Sequence, residues 1–354
     1  MYKAGLIGVT GYTGMELARI LAFHPQIELT HATSRQEAGK KIEDLYPFLR
    51  SCKIGSVCIA DYNAMSLAKE CDIVFLAVPH GTAMKSAAEL TACAKELKKQ
   101  IKLVDLSADF RIKNPETFET WYQIKHEQTD LLKQAVYGLF DIYEKEIKNA
   151  RLIANPGCYP TASILGLYPA VTHDIVANDI IIDAKSGTTG AGRKAQVSSL
   201  FCEVHDNFRP YSIGGKHRHT PEIEQELSIA AQKEIFVSFN PHLLPVERGI
   251  LATIYAPLAK NISLEDIHAL YLETYARAPF VRVLPLGQLP ETRNVRGSLF
   301  CDIALALDKR THKLIVTSAI DNLARGASMQ AVANANLCLG LPLDTGILHA
   351  PLCP

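Results

Sequence analysis

Apolar and polar positions change their rhythm near the middle of the chain, and that change predicts two kinds of sheet. In the first half, residues 2–9 read as a buried strand and residues 27–33 as a second. Residues 72–78 are apolar after Asp72, as a parallel strand covered on both faces must be, and residues 101–106 read as the next strand. Between the first two, residues 15–23 place Leu17, Ile20 and Leu21 on one helical face. Another helix is expected from Thr82, and residues 112–150 read as irregular structure over the cofactor site. In the second half, strands are expected at 180–184, 235–239, 251–256, 281–284, 299–307 and 313–320, with one clear helix over 263–276 capped by Ser263 and Asp266. Many strands with few crossover helices predict a mixed or antiparallel sheet of α+β type, a face of which pairs subunits. The Ala- and Asn-rich helix at 327–339 is expected to return to the first domain. The fold class is therefore α/β, with a Rossmann-like domain of residues 1–154 and 325–354 and an α+β domain of residues 155–324.

Composition narrows the function. The chain has 354 residues, 48% of them hydrophobic, which suits a soluble enzyme. Lys plus Arg and Asp plus Glu both number 37, so no net field argues for nucleic acid, a membrane or a broadly acidic partner; an anionic substrate must be met locally. Nine cysteines without close spacing argue against a disulfide framework and a zinc knuckle, and fit a reducing cytoplasm. No run approaches the ~20 apolar residues of a membrane span, and no signal peptide or repeat is evident.

The chemistry centres on Asn155-Pro156-Gly157-Cys158-Tyr159-Pro160-Thr161. A strand over 151–154 meets a Pro-Gly turn, and a helix is expected from about Thr161, so Cys158 sits at a helix mouth. Unpaired N–H groups and the positive end of the macrodipole there favour a thiolate and an oxyanion. The alternative is a cysteine packed as a small hydrophobe. Gly8, Thr10, Gly11, Tyr12, Thr13 and Gly14 form a tight loop between the first strand and helix; its Gly8-x-x-Gly11-x-x-Gly14 spacing departs from G-x-G-x-x-G but serves the same close approach to a pyrophosphate. Ser34 and Arg35 end the second strand where a carboxylate would mark NAD, and suit the 2′-phosphate of NADP. Pro79 and Ser107 follow the next two strands and should face the cofactor, whereas His80 reads as a solvated loop histidine. The Gly-rich loop 185–194, with Lys185 and Gly187, is expected to line a substrate phosphate or the nicotinamide. His217 and His219 lie just before a helix opened by Thr220-Pro221, and one of them is the acid/base partner of Cys158. A metal held by both with Glu222 is the alternative, but no third ligand stands at a usual spacing.

These motifs together resemble the N-acetyl-γ-glutamyl-phosphate reductases, relatives of the aspartate-semialdehyde and glyceraldehyde-3-phosphate dehydrogenases. Asn-Pro-Gly-Cys-Tyr-Pro-Thr at 155–161 and His-Arg-His-Thr-Pro-Glu at 217–222 are the specific signals, and Asp321-Asn322-Leu323 belongs to the same pattern. The resemblance implies a catalytic and dimerisation domain of the glyceraldehyde-3-phosphate dehydrogenase type. It also implies NADPH-dependent reductive dephosphorylation of a small-molecule acyl phosphate in arginine biosynthesis, with Cys158 as nucleophile, in a cytoplasmic homodimer or homotetramer. Proton transfer is assigned to His217; Asn155, Arg111, Lys185, Lys216 and His219 go to the substrate, and Gly187 and Asn322 to the cofactor. A carrier-bound aminoadipyl phosphate, an aspartyl phosphate and an inactive NADP-sensing role are the alternatives kept open.

Overall fold

The computed structural model describes residues 1–352. It divides into two compact units, Met1–Pro156 with Ala327–Leu348, and Gly157–Gly326 with the segment from His349. Each is described separately.

The first unit runs β1 Tyr2–Ile7, α1 Tyr12–Leu21, β2 Ile27–Thr33, α2 Ile42–Leu45, β3 Ile59–Ala60, α3 Ala64–Glu70 and β4 Ile73–Leu76. It continues with α4 Ala83–Glu96, β5 Lys102–Asp105, α5 Pro115–Tyr122, α6 Thr129–Gln134, β6 Val136–Tyr137, α7 Phe140–Asn149 and β7 Leu152–Ala154. All seven strands pair in parallel, in the order β3-β2-β1-β4-β5-β7-β6. The order reverses between β1 and β4, which is where a doubly wound sheet opens a crevice beyond its strand ends. Burial follows the sequence: Ile73, Val74, Phe75 and Leu76 of β4 are wholly inaccessible.

Residues 112–150 are not irregular. They hold α5, α6, β6 and α7, and the Phe118 and Tyr122 rings stack at 4.8 Å beside His126. Nor is His80 a solvated loop residue; its Nδ1 accepts the Ala108 N–H at 3.0 Å and its ring lies edge-on to Tyr122. Beyond β5, Asp109 caps α4 by accepting from Gly81 N at 2.7 Å and Met84 N at 3.0 Å. Asp105 is buried beside it, and burial followed by the Asp109 charge holds its carboxyl well above the usual carboxylate range.

The second unit starts with α8 Cys158–Thr172 and continues with β8 Ile180–Ser186, α9 Phe201–Val204, β9 Arg209–Pro210, α10 Thr220–Ala231, β10 Val237–Leu243 and β11 Ile250–Pro257. Then come α11 Leu264–Thr274, β12 Val281–Val283, β13 Cys301–Asp308 and β14 Lys313–Ile320. Its seven strands form one mixed sheet in the order β12-β13-β14-β11-β8-β10-β9. Helix α11 has the expected cap, Ser263 Oγ accepting from Asp266 N at 3.0 Å.

Helix α8 is buried on every side except at Cys158, Tyr168 and Thr172, which explains why no amphipathic stripe marks it. It also carries Pro169 in its interior, which denies Leu165 O its usual N–H partner. Tyr275 Oη donates to Leu165 O, satisfying the carbonyl that Pro169 leaves without a donor, and Tyr271 Oη donates to the next carbonyl, Gly166 O.

A π-helical turn, Ala324–Ser328, then leads into α12 Met329–Cys338 of the first unit. The Ala/Asn composition of α12 now has a cause: small faces pack closely, and the buried amides bond neighbouring backbone. Asn334 Nδ2 donates to Gly138 O at 2.8 Å, and Asn336 Nδ2 to Leu343 O and Thr345 O. From His349 the described chain packs with the second unit, Leu352 N donating to Arg296 O.

Candidate active site

In the first unit, a cavity of about 360 Å³ lies beyond β1, β2 and β4, lined by Gly8, Thr10, Ser34, Arg35, Pro79 and Ser86 among others. Its shape depends on glycine. Gly8 has φ +90°, and a Cβ there would stand 2.2 Å from Ala77 O; a Cβ on Gly14 would stand 2.2 Å from Gly8 O. Gly11, the N-cap of α1, faces open space instead, with nothing within 4 Å of where its Cβ would be. A helix mouth with no side chain over it fits an anionic pyrophosphate, while Tyr12 and Thr13 form the first turn of α1. At the end of β2, Ser34 Oγ accepts the Gln36 N–H and the exposed Arg35 lines the cavity. Ser107 is elsewhere: it is buried, its Oγ donating to Asp105 Oδ2 at 3.0 Å and accepting from Asp109 N.

Arg111 and Asn155 are committed to the framework of the same unit. Arg111 is 6% exposed, its Nε donating to Asn155 O at 2.7 Å and its Nη2 to Leu106 O. Asn155 Nδ2 donates to Ala327 O, and its Oδ1 accepts from Asn334 Nδ2 at 3.0 Å. They hold the backbone just before the cysteine.

The second unit opens on that cysteine. Gly157 is the N-cap of α8 and Cys158 its first residue, so the helix starts three residues earlier than the sequence predicts. Pro160 permits this, because in a first turn its missing N–H would have had no helical partner. Cys158 thus lies at a helix N-terminus, where the positive end of the macrodipole favours an anion.

Glu222, in the first turn of α10, is fully buried, and its Oε1 accepts the Gly157 N–H at 2.8 Å. That bond locks the cysteine turn to the helix that follows both histidines. The sequence shows Glu222 as a possible metal neighbour and as the end of the His-Arg-His-Thr-Pro-Glu signal, and its place three residues after His219, beside a helix-opening proline, is the cue to its anchoring role. Among the described residues no three His, Cys, Asp or Glu side chains gather as a metal would require.

His217 and His219 come together with aromatic rings. The His217 ring packs edge-on against Tyr159 at 5.5 Å, Tyr211 at 5.6 Å, Phe239 at 5.2 Å and His219 at 4.9 Å. Burial first, and the Arg218 charge second, lower its pKa to about 4, so the ring is neutral at pH 7. Its Nδ1 accepts the His219 N–H at 3.1 Å, which leaves the ring proton on Nε2. Tyr211 Oη donates to Tyr159 Oη at 3.0 Å, and Tyr159 Oη to His242 O. Burial raises both phenol pKa values; the Tyr211 hydroxyl and then the Cys158 charge add to the rise at Tyr159, and the Cys158 charge adds to it at Tyr211. No period or motif in the sequence marks this aromatic box.

Lys185, on β8, is half-buried and ion-paired with Asp183 at 2.9 Å, whereas Lys216 is exposed. Gly187 packs against the Glu247–Arg248 backbone, and Asn322 joins the same loop through Thr189 Oγ1 at 2.9 Å.

A parallel dinucleotide-type unit and a mixed-sheet unit opening on a helix-mounted cysteine define the semialdehyde dehydrogenase class. Residues 3–150 match the family described as "Semialdehyde dehydrogenase, NAD binding domain", and residues 158–322 "Semialdehyde dehydrogenase, dimerisation domain". Within it, the chain belongs to the N-acetyl-gamma-glutamyl-phosphate reductase family. It is 49% identical to the reductase of that name from Desulfotalea psychrophila over 100% of both chains, and 48% identical to that from Pelotomaculum thermopropionicum over 99% of both. The fold is shared with aspartate semialdehyde dehydrogenase II of Vibrio cholerae, solved with ASA (TM-score 0.71, 14% identity, 96% of this chain and 98% of that one). It is shared too with the Candida albicans enzyme solved with NADP (TM-score 0.67, 17% identity, 96% and 99%).

Proposed function

We propose that the protein is an NADPH-dependent reductase of N-acetyl-γ-glutamyl phosphate, forming N-acetylglutamate 5-semialdehyde through a thioester on Cys158, in arginine biosynthesis. The observation that carries the reading is the placement of Cys158 as the first residue of a buried helix, on a turn anchored by Glu222 and next in sequence to Tyr159, whose ring packs edge-on against His217. The cysteine thiolate attacks the acyl carbon and expels phosphate, leaving the acyl group on sulfur. The bound dinucleotide supplies the hydride that reduces this thioester. The C–S bond of the resulting thiohemiacetal then breaks, releasing aldehyde and restoring the thiolate. Backbone N–H groups of the first turn of α8 take the charge that develops on the carbonyl oxygen, and His217 Nε2–H supplies a proton to it and takes that proton back as the C–S bond breaks. Lys185 and Lys216 are offered to the substrate anions, and His219 supports His217 through its own N–H. A nucleophilic thiol needs reducing surroundings, so the reading includes a cytoplasmic setting.

For the cofactor, Gly8, Thr10 and Gly11 receive the pyrophosphate, and Ser34 with Arg35 receive the 2′-phosphate that distinguishes NADPH from NADH. Replacing Arg35 by Ala should raise the KM for NADPH about tenfold or more while leaving that for NADH nearly unchanged, since a charge-assisted bond is lost for one cofactor only. Equal effects on both would remove the assignment.

Substrate identity is tested by phosphate-dependent NADP reduction with N-acetylglutamate semialdehyde, aspartate semialdehyde and a carrier-linked aminoadipate semialdehyde in parallel. The first should be preferred by at least ~10²-fold in kcat/KM, because a site built to bond an amide penalises its absence. Preference for another aldehyde would move the substrate and keep the cysteine chemistry; no turnover with any would favour a sensing role.

A further inference from the structure

The polypeptide meets Cys158 again at the far end of the second unit. Gly326 packs so tightly against it that a Cβ there would lie 2.6 Å from Cys158 Cβ and 3.0 Å from its Cα. Gly326 is brought there by the π-helical turn, whose wide bond runs from Gly326 N to Asp321 O at 2.9 Å. Asp321 organises that turn with a wholly buried carboxylate. Its Oδ1 accepts from Leu323 N and Ala324 N, both at 2.8 Å, and its Oδ2 from Gly297 N at 2.7 Å. Arg248 closes on the same two oxygens, Nε to Oδ2 at 2.9 Å and Nη2 to Oδ1 at 3.0 Å, with its side chain only 16% exposed.

The neighbouring residue extends the link. Asn322 Oδ1 accepts from Gly249 N at 2.8 Å while its Nδ2 donates to Thr189 Oγ1. Arg248 is therefore tied on one side to the Gly-rich loop after β8 and on the other to the turn that backs the cysteine. A buried two-pronged ion pair fixes direction as well as distance, and a thiol at a helix mouth is sensitive to both.

We propose that the Asp321–Arg248 pair is a positioning device for the nucleophile: through the π-helical turn and Gly326 it holds the Cys158 sulfur over the first turn of α8. The proposal rests on Cys158 being the nucleophile. None of the four residues Asp321, Arg248, Asn322 and Gly326 need touch substrate for it to hold.

The test compares Asp321→Asn, Arg248→Lys and Gly326→Ala with Asp302→Asn. Asp302, on β13 of the same sheet, is nearly buried, and the bonds its carboxylate accepts come from Arg282 of β12 rather than from the turn. The readouts are kcat and KM for aldehyde and NADP, and the pH dependence of Cys158 alkylation by iodoacetamide. A misplacement of about 1 Å is expected to lower kcat ~10²-fold in Asp321→Asn and Gly326→Ala, with the KM for NADP unchanged. The alkylation midpoint should rise, because sulfur displaced from the helix N-terminus loses stabilisation of its thiolate. Asp302→Asn should alter neither. Where Asp321→Asn does not fold, Arg248→Lys, which keeps the charge and loses the two-pronged geometry, and Gly326→Ala carry the same readings. Wild-type kcat and alkylation profile in the folded variants, or an equal loss in Asp302→Asn, would overturn the proposal. Cys158→Ala separates this from the underlying reading: turnover surviving there removes the nucleophile itself, whereas turnover lost there but intact in Gly326→Ala removes only the positioning role.

Discussion

Cys158→Ala should lose turnover by more than ~10⁴-fold, with NADPH binding retained, because on the proposed route this residue forms the thioester that is reduced. Fold and cofactor binding should survive, since the cavity that includes Gly8, Ser34 and Arg35 lies in the other unit and Cys158 is the least buried residue of its helix turn. A direct readout is available as well. Wild-type protein incubated with acyl phosphate and no NADPH should gain the mass of the acyl group on the peptide that carries Cys158. Normal turnover in the alanine variant would show that hydride reaches the acyl phosphate without a covalent stage.

His217→Asn should lower kcat by ~10²–10⁴-fold, the range supplied by a positioned acid or base, while His219→Asn should act mainly on KM. The reverse pattern would transfer the role between them. A stability measurement gives the sign independently. His217 has a folded pKa near 4, below the 6.5 of an unfolded histidine. Between those values the unfolded chain binds the proton and the folded one does not, so stability contributed by this site is whole above pH 6.5 and falls as pH drops toward 4. The asparagine variant should be less destabilised than wild type over that interval, as followed by denaturant midpoints; equal slopes would mean that the ring is not buried in its neutral form.

Much of this was legible before any coordinates. Residues 27–33 and 313–320 coincide with β2 and β14, since β-branched runs bounded by polar turns have only one good use. The thiol and the paired histidines were legible too, because their spacing carries chemistry. Residues 112–150 were not: their helices are short, and the burial of Phe118 and Tyr122 that stabilises one of them comes from packing the sequence does not display. The roles of Glu222 and Asp321 were hidden for a related reason. Each acts across a long stretch of chain, Glu222 on Gly157 and Asp321 on Arg248, and the short motifs that contain them do not show which distant residue each one holds.

The connectivity of the first unit has a consequence for how the chain is made. Helix α12, which packs on α7 and β5, is synthesised only after Gly157–Gly326 of the second unit. Until then the amide of Asn334 is missing, and Gly138 O waits for its donor. Synthesis runs at ~5–20 residues per second, so the nascent parallel sheet stands without that helix for on the order of ten seconds. During that interval the Leu103 and Leu152 strands must rely on the layers already formed, α4 foremost, to keep their apolar surface from other chains.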